Sequence, residues 1–196
     1  MTSKRIIALL GIAALVAVVL AAPWKVGGSA MRGRLPRYSL AGAWVVSVPL
    51  PEPLEGSFLH LCTLDPQDPT GNRYTLVLKH SQCSPTVFGA FPEAVSQSDS
   101  VGLEVKTGRN TYQFTTVGHA TKPGDPLLGG IAEMVYFSVM SGTMRMIDGD
   151  KGVGEATVAY YVPAQDADFD GLPDEGQEPV LSLGYTYTIK RVPLLP

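Results

Sequence analysis

The stretch SGTMRMIDGDKGVGEATVAYYV, residues 141–162, decides the fold class of this chain. Apolar and polar residues alternate on both sides of the acidic turn DGD, residues 148–150. Such alternation is typical of a strand with one buried face, and a Gly-containing turn between two alternating runs indicates a β-hairpin. The pair Ser141-Gly142 predicts a bend or bulge, as a barrel corner requires. The hairpin therefore predicts antiparallel β-structure for this part of the chain.

The same alternation recurs in both directions from this hairpin. The 21 Gly and 16 Pro residues favour strands joined by turns over helical bundles. The only helical candidate is the short stretch PEAVSQS, residues 92–98. Sequential strands at this spacing predict an all-β fold, an antiparallel eight-stranded up-and-down barrel, with a β-sandwich as the alternative. The predicted strands, about eight in number, fall within the strand-like segments 38–50, 57–64, 73–82, 85–91, 102–106, 111–120, 131–147, 155–162 and 178–192.

The N-terminus carries a targeting signal. A basic stretch, MTSKR, precedes the uncharged apolar run of residues 6–22. This pattern, with small residues before a cleavage point after Ala21, predicts a signal peptide over residues 1–21. We therefore expect an exported protein, whether periplasmic, at the cell surface or secreted. The alternative is a protein anchored to the membrane by residues 6–22 as an uncleaved helix.

A linker separates this segment from the folded part. Residues 22–37 are rich in Gly, Pro and basic side chains and lack periodicity. They are predicted to be a linker, which leaves residues 38–196 as the β-barrel domain.

The charge of the chain excludes one class of partner. The full sequence has 15 basic and 18 acidic residues, and removal of Lys4 and Arg5 with the signal peptide leaves 13 against 18. Nucleic-acid binding needs clustered Lys and Arg, so no nucleic-acid partner is expected. Contact with a membrane is expected only through residues 6–22 if they stay uncleaved, and the sequence indicates no particular protein partner.

The predicted export bears on the oxidation state of the two cysteines. In an oxidising compartment the pair Cys62 and Cys83 predicts one disulfide, with two buried thiols as the alternative. His60 and His80 lie close to these cysteines in sequence, but their spacing is not that of a structural zinc site.

Three segments resemble a known group of proteins. They are LAGAWVVSV at residues 40–48, GRNTYQFTTVGHA at residues 108–120, and the hairpin of residues 141–162. Their order and pattern resemble small exported bacterial lipocalin-like proteins of the calycin type, over roughly Leu40 to Val192. The resemblance implies a meandering barrel that begins with a G-x-W strand and holds a small apolar ligand.

The resemblance also implies roles for single residues. Gly42 and Trp44 match the G-x-W pair, which implies that Trp44 packs at the base of the barrel. Arg191 or Arg109 is the implied partner of this tryptophan. The long loops over residues 65–72 and 163–178 depart from the pattern.

An acidic loop over residues 165–178 predicts a cation site. Asp166, Asp168 and Asp170 occupy alternate positions before a glycine. Calcium prefers carboxylate and carbonyl oxygens on a tightly turning loop. Further ligands are expected from the Leu172 carbonyl and from Asp174.

The loop is not a complete EF-hand. Its twelfth position is Gln177 where an EF-hand has a bidentate Glu. The string D-x-D-x-D-G-L-P-D instead resembles the calcium loops of thrombospondin type 3 and dockerin-like repeats, with Glu175 or Glu178 as substitute ligands. The expected cofactor is one structural Ca²⁺. The alternative is a solvated acidic hairpin without an ion.

The sequence favours a non-catalytic binding module. No nucleophile elbow or phosphate loop is present, and an eight-stranded barrel has room for one small ligand. An envelope or surface interaction protein without a small ligand is the alternative, followed by an isomerase or cyclase. An enzyme of the last kind should have polar residues with perturbed pKa values inside the barrel. The strands carry aromatic and methionine side chains that either fill the core or line a pocket: Met134, Tyr136, Phe137, Met140, Met144 and Met146.

Overall fold

The structure, a computed structural model, describes residues 38–50, 57–80, 85–168 and 170–193, without the side chains of residues 85, 86, 88 and 128. The predicted signal peptide or anchor and the predicted linker lie outside these ranges. In the described ranges no helix is both long enough and apolar enough to cross a membrane.

Eight antiparallel strands form a closed up-and-down barrel, as the sequence predicted. Each strand pairs with its neighbours in order, and the first barrel strand pairs with the last, so the sheet closes on itself. A ninth, two-residue strand, β4, adds to β6 beyond the end of β5. The strands are β1 Gly42–Pro49, β2 Ser57–Pro66, β3 Arg73–His80, β4 Ser96–Gln97, β5 Ser100–Lys106, β6 Thr111–Lys122, β7 Glu133–Met146, β8 Lys151–Tyr161 and β9 Leu181–Arg191.

The helix expected at residues 92–98 is wrong in position. The structure has its helix α1 at Pro85–Ala90, so the strand expected within residues 85–91 is wrong. A proline opens the first turn of this helix, with a fixed φ suited to that place. Ser96–Gln97 forms β4 instead, because the overhanging end of β6 offers free backbone groups to pair with. Two short 3₁₀ turns, Pro126–Leu128 and Pro163–Gln165, complete the helical content of the described residues.

The bulge expected at Ser141-Gly142 is also displaced. The pairing of β7 with both neighbours is continuous through Gly142, and the register shifts between Ala120 and Thr121 of β6 instead. A Cβ on Gly142 would lie 2.8 Å from carbon atoms of the Phe114 ring. The glycine at this place therefore allows the close packing of Phe114.

The two ends of the barrel differ. At one end, called the base, β1 begins and β9 ends, and the interior is filled with side chains. At the other end, called the mouth, β1 and β3 end, and α1 and the acidic loop connect strands. Side chains that fill the base are Leu40, Trp44, Tyr74, Tyr112 and Met146, all fully buried.

Trp44 and Arg191 pack against each other at the base. Trp44 is 0% exposed, and its Nε1 donates to the Leu40 carbonyl at 2.8 Å. The Arg191 guanidinium lies 4.1 Å from the centre of the indole ring. Its Nη1 donates to the Ala41 carbonyl at 2.7 Å, and Gly42 (φ 123°) leaves only 3.2 Å between that Nη1 and the place of a Cβ.

Candidate binding cavity

The barrel encloses a cavity of about 570 Å³. Most of its wall consists of inward-facing residues at alternate positions of the strands, because successive side chains of a strand point to opposite faces. Val87 of α1 contributes at the mouth, and Trp44 contributes at the base. Most of the wall is apolar, with Val46, Leu64, Leu76, Met140, Val158 and Phe114 as examples.

Glu104 is an acidic residue placed within this apolar wall. It lies on the inward face of β5, whereas the apolar side chain of Leu103 faces outward. Glu104 is 2% exposed, and its Oε1 is buried without a hydrogen-bond partner. Burial raises the pKa of this carboxyl from its ordinary value of 4.5 to about 8. The carboxyl is therefore mostly neutral at pH 7.

The neighbours of Glu104 are aromatic. It pairs in register with Tyr74 of β3 and with Phe114 of β6. The Phe114 ring meets the Tyr187 ring edge to face, with centroids 6.2 Å apart. The Tyr187 hydroxyl donates to the Thr143 carbonyl at 3.2 Å. Burial, and then the proximity of Glu104, raise the pKa of Tyr187.

A second polar group lies nearer the mouth. His60 and His80 pair in register on β2 and β3, and their rings meet edge to face at 5.2 Å. His80 Nε2 lies 2.7 Å from the Ser100 hydroxyl oxygen. Burial lowers the pKa of both histidines, that of His80 to about 4, so both are neutral at pH 7. His60 Nδ1 is buried without a hydrogen-bond partner.

Cys62 also lines the cavity. Its thiol is free in the described structure, and burial raises its pKa. Cys83 lies outside the described residues, so the disulfide with Cys62 stays a prediction. Where the structure describes the chain, Cys62, His60 and His80 do not bring three ligand atoms together as a metal site would.

The acidic loop between β8 and β9 brings three of the predicted ligands together. One carboxylate oxygen from each of Asp166, Asp168 and Asp170 lies within 4.8 Å of the others. Asp166 is 5% exposed, and its carboxylate accepts from the backbone N–H groups of Asp170 and Gly171, each at 3.0 Å. Desolvation, followed by the charge of Asp170, raises the pKa of Asp168.

The other predicted ligands are not part of this cluster. Asp174 accepts instead from the backbone N–H of Ala167 at 3.1 Å. Among the described carboxylates, Glu175 and Glu178 are not grouped with the three aspartates. The Leu172 backbone N–H donates to the Asp170 carboxylate at 2.8 Å, which ties that turn to the cluster.

Sequence reasoning missed the polar residues of the cavity. In β5 and β2 the outward positions carry apolar residues, with Val101 52% and Leu59 52% exposed. The inward positions carry Glu104 and His60. The sequence does hold a signal for these residues, because alternate residues of a strand lie on the same face. Glu104 shares its face with Ser100, and His60 shares its face with Cys62 and Leu64.

Comparison with known proteins shows no family for this chain. No family model matches it, and no curated protein matches it. A solved structure of EF1p2_mFAP2b bound to DFHBI is 15% identical, with 78% of this chain and 94% of that chain covered and a TM-score of 0.43. A redesigned β-barrel is 11% identical, with 79% and 92% covered and a TM-score of 0.42. The fold assignment rests on the strand pairings within this chain.

Proposed function

We propose that this protein is an exported, non-catalytic binding module that holds a small apolar ligand inside its barrel. The observation that carries the proposal is the cavity of about 570 Å³ with a mostly apolar wall. Ligand pockets are commonly about 300–1,000 Å³ and mainly apolar, with a few polar groups that fix orientation. The alternative of an interaction protein without a ligand does not account for this space.

Apolar burial supplies the driving force. A ligand that transfers its apolar surface from water to this wall gains roughly 25 cal/mol for each Å². The flexible Met140 and Met144 side chains line the cavity and can adjust to the shape of a ligand.

The polar residues near the mouth fit binding better than catalysis. His80 and Ser100 meet the criterion of a polar, perturbed pair inside the barrel. A histidine whose pKa lies at about 4 is a weak general base at pH 7, because it has little affinity for a proton. Hydrolysis of p-nitrophenyl butyrate by the wild type, lost in Ser100→Ala, would contradict the non-catalytic proposal.

Titration with the neutral dye Nile red tests ligand binding. Ala156 is buried and faces the cavity, whereas its neighbour Thr157 is exposed. Ala156→Phe fills the cavity and is expected to weaken binding at least about tenfold, because overpacked space cannot accept the dye. Thr157→Phe, the matched control, should leave the affinity unchanged. Absence of dye binding by the wild type, with no organic mass in native mass spectrometry, would overturn the proposal.

We also propose that the acidic loop binds one structural Ca²⁺. The clustered oxygens of Asp166, Asp168 and Asp170 support this, since like charges held together are stabilised by a divalent cation. Leu172, Asp174, Glu175 and Glu178 are the further candidate ligands, and Ca²⁺ would stiffen the connection between β8 and β9.

Thermal unfolding with Ca²⁺ and with a chelator tests this second proposal. Millimolar Ca²⁺ is expected to raise the melting temperature of the wild type, and the Asp168→Asn Asp170→Asn double variant should lose that response. The Asp65→Asn Glu155→Gln variant removes the same charge from exposed positions elsewhere and should keep it. An equal Ca²⁺ response in both variants would show that the ion acts elsewhere.

Export is proposed from the N-terminal sequence alone. Mass spectrometry of the protein from its native membrane and soluble fractions would show whether the mature chain begins at Ala22 or retains residues 1–21. A full-length chain in the cytoplasmic fraction would contradict the proposal.

A further inference from the structure

The buried carboxyl of Glu104 lacks a counter-charge. Groups that face it are Cys62 from β2, Tyr74 from β3, Tyr112 from β6 and Tyr187 from β9. Burial raises the pKa of Cys62, Tyr112 and Tyr187, so these three groups are neutral near pH 7. From β8, Tyr160 lines the cavity at the mouth end of the strand. Trp44 of β1, Met144 of β7 and Ala156 of β8, which also line the cavity, have no titratable side chain.

Lys106, the cationic residue of the same strand, contacts the Tyr112 ring rather than Glu104. Lys106 Nζ lies 5.9 Å from the centre of the Tyr112 ring, and Lys106 makes no ion pair with Glu104 in the described part of the chain. Of the tyrosine hydroxyls near the carboxyl, that of Tyr187 donates to the Thr143 carbonyl, and that of Tyr74 accepts from the Leu40 N–H. The Oε1 atom of Glu104 is buried without a hydrogen-bond partner inside the barrel. A buried polar atom without a partner costs stability, which a ligand can recover.

The wall of the cavity is also selective in charge. No Lys or Arg is among the described residues that line it, and its two histidines are neutral at pH 7. An anionic head group, such as that of a fatty acid, would have no cationic partner there and would be repelled by any ionised Glu104. Phe114 and Tyr187 present aromatic rings beside the carboxyl, and such rings attract cations.

We propose that the cavity takes a lipophilic amine, an apolar molecule with one protonated amino group, and that this group pairs with Glu104 between the Phe114 and Tyr187 rings. This inference rests on the proposed function and names the chemical class of its ligand. Pairing needs the carboxylate form. The neutral acid therefore gives up one proton to the solvent when the ammonium group arrives: E–COOH + R–NH₃⁺ becomes E–COO⁻·⁺H₃N–R + H⁺.

Three probes of the same shape test the charge preference. They are 4-phenylbutylamine, 4-phenylbutanol and 4-phenylbutyrate, each measured by displacement of Nile red and by calorimetry at pH 7.5. We expect the amine to bind at least about tenfold more tightly than the alcohol, since a charge-assisted hydrogen bond is added, and the carboxylate to bind most weakly. Glu104→Gln should remove the preference for the amine and leave alcohol binding within about twofold, because the side chain keeps its size.

The pH dependence gives a second readout that needs no variant. Binding of the amine should tighten as the pH rises, by up to about tenfold per unit between pH 6 and 7.5, and release one proton in calorimetry with buffers of different ionisation enthalpy. A neutral ligand that accepts a hydrogen bond from the acid would show the opposite trend, with binding lost above about pH 8.

The outcomes separate the two proposals. If none of the probes and no Nile red bind, the proposed function fails. If the dye and the alcohol bind but the wild type shows no preference for the amine and no proton release, only the lipophilic-amine inference is overturned. A preference that persists in Glu104→Gln would overturn the role of Glu104. If circular dichroism shows that this variant does not fold, the proton release measured on the wild type tests the role of Glu104 instead.

Discussion

Arg191 connects three parts of the chain at the base of the barrel. Its guanidinium covers the Trp44 ring, donates to carbonyls of Ser39 and Ala41 before β1, and pairs with Asp150 in the turn between β7 and β8. The planar group serves all these contacts at once because its donors lie in a fixed fork. One side chain therefore holds the start of the first strand against the end of the last.

Replacement of Arg191 should destabilise the barrel even when the positive charge is retained. Arg191→Lys keeps the charge but loses the fork and the flat stacking surface, so we expect a decrease of about 2 kcal/mol in the free energy of unfolding in urea. The exposed neighbour Lys190→Ala serves as the control and should change it by less than about 0.5 kcal/mol. Equal effects of the two substitutions would contradict the role assigned to Arg191.

Glu104 should make stability depend on pH in an unusual direction for an acid. Its pKa is about 8 when folded and near 4.5 when unfolded, so between these values the folded state holds one proton that the unfolded state lacks. Its contribution is therefore fully present below pH 4.5 and is lost as the pH rises to about 8.

The difference in the free energy of unfolding between wild type and Glu104→Gln reports the titration of Glu104 alone, because both proteins contain the same two histidines. The variant has no carboxyl to ionise and should gain stability relative to the wild type, on the order of 3 kcal/mol, between pH 5 and 8. Urea unfolding at several pH values measures it. A constant difference across this range would show that the carboxyl titrates normally.

Gly142 allows β7 to pack closely between its neighbouring strands, because glycine has no side chain. A Cβ at Gly142 would lie 2.3 Å from the Glu155 carbonyl oxygen, a backbone atom that cannot move away cheaply. The ring of Phe114 occupies the remaining space. β7 passes between β6 and β8 only with glycine at this place.

Alanine substitutions at two strand glycines should therefore differ. Gly142→Ala is expected to lower the free energy of unfolding by about 2 kcal/mol, because it overpacks the interior. Gly184→Ala in β9 has no atom within 4 Å of the new Cβ and should change stability by less than about 0.5 kcal/mol. Similar losses at both positions would indicate a general intolerance of alanine rather than a clash at Gly142.

The strands could be predicted from sequence, but the inward face of some could not. Alternation locates β2 and β5, yet both strands carry apolar residues outward, Leu59 and Leu103 among them. The usual rule of apolar residues inward therefore gives the wrong parity. Only closure of the barrel, with Glu104 beside Tyr74 and Phe114, fixes the face.

At the scale of the molecule, closure removes the sheet edges. Trp44 of β1 pairs in register with Arg191 of β9, and every barrel strand has two partners. Regular alternation and the sequential spacing of the strands predicted an antiparallel barrel, with a β-sandwich as the alternative, and the pairing of β1 with β9 confirms the barrel. The cavity could not be predicted in this way, because its volume depends on how side chains from all eight strands meet, which no local pattern encodes.

Removal of β9 should prevent folding rather than only weaken it. A chain that ends at residue 180 leaves β1 and β8 as unpaired edges, and we expect no cooperative thermal transition by circular dichroism. The control is a circular permutant that joins residue 193 to residue 38 and opens the turn at residues 107–110. It keeps every strand pair and should melt cooperatively. Cooperative melting of the shortened chain would contradict the dependence on closure.

The filled base has a consequence for selection. Because Trp44 and Arg191 block the base, a ligand of the proposed kind would enter and leave at the mouth, with its leading group first. Such a blind tube discriminates by the chemistry of the leading group, which reaches the interior, and tolerates variation in the trailing part that extends toward solvent. Ligands that differ only in the length of the tail should thus have similar affinities once the tail reaches the mouth. A change of one atom in the leading group should instead change the affinity strongly.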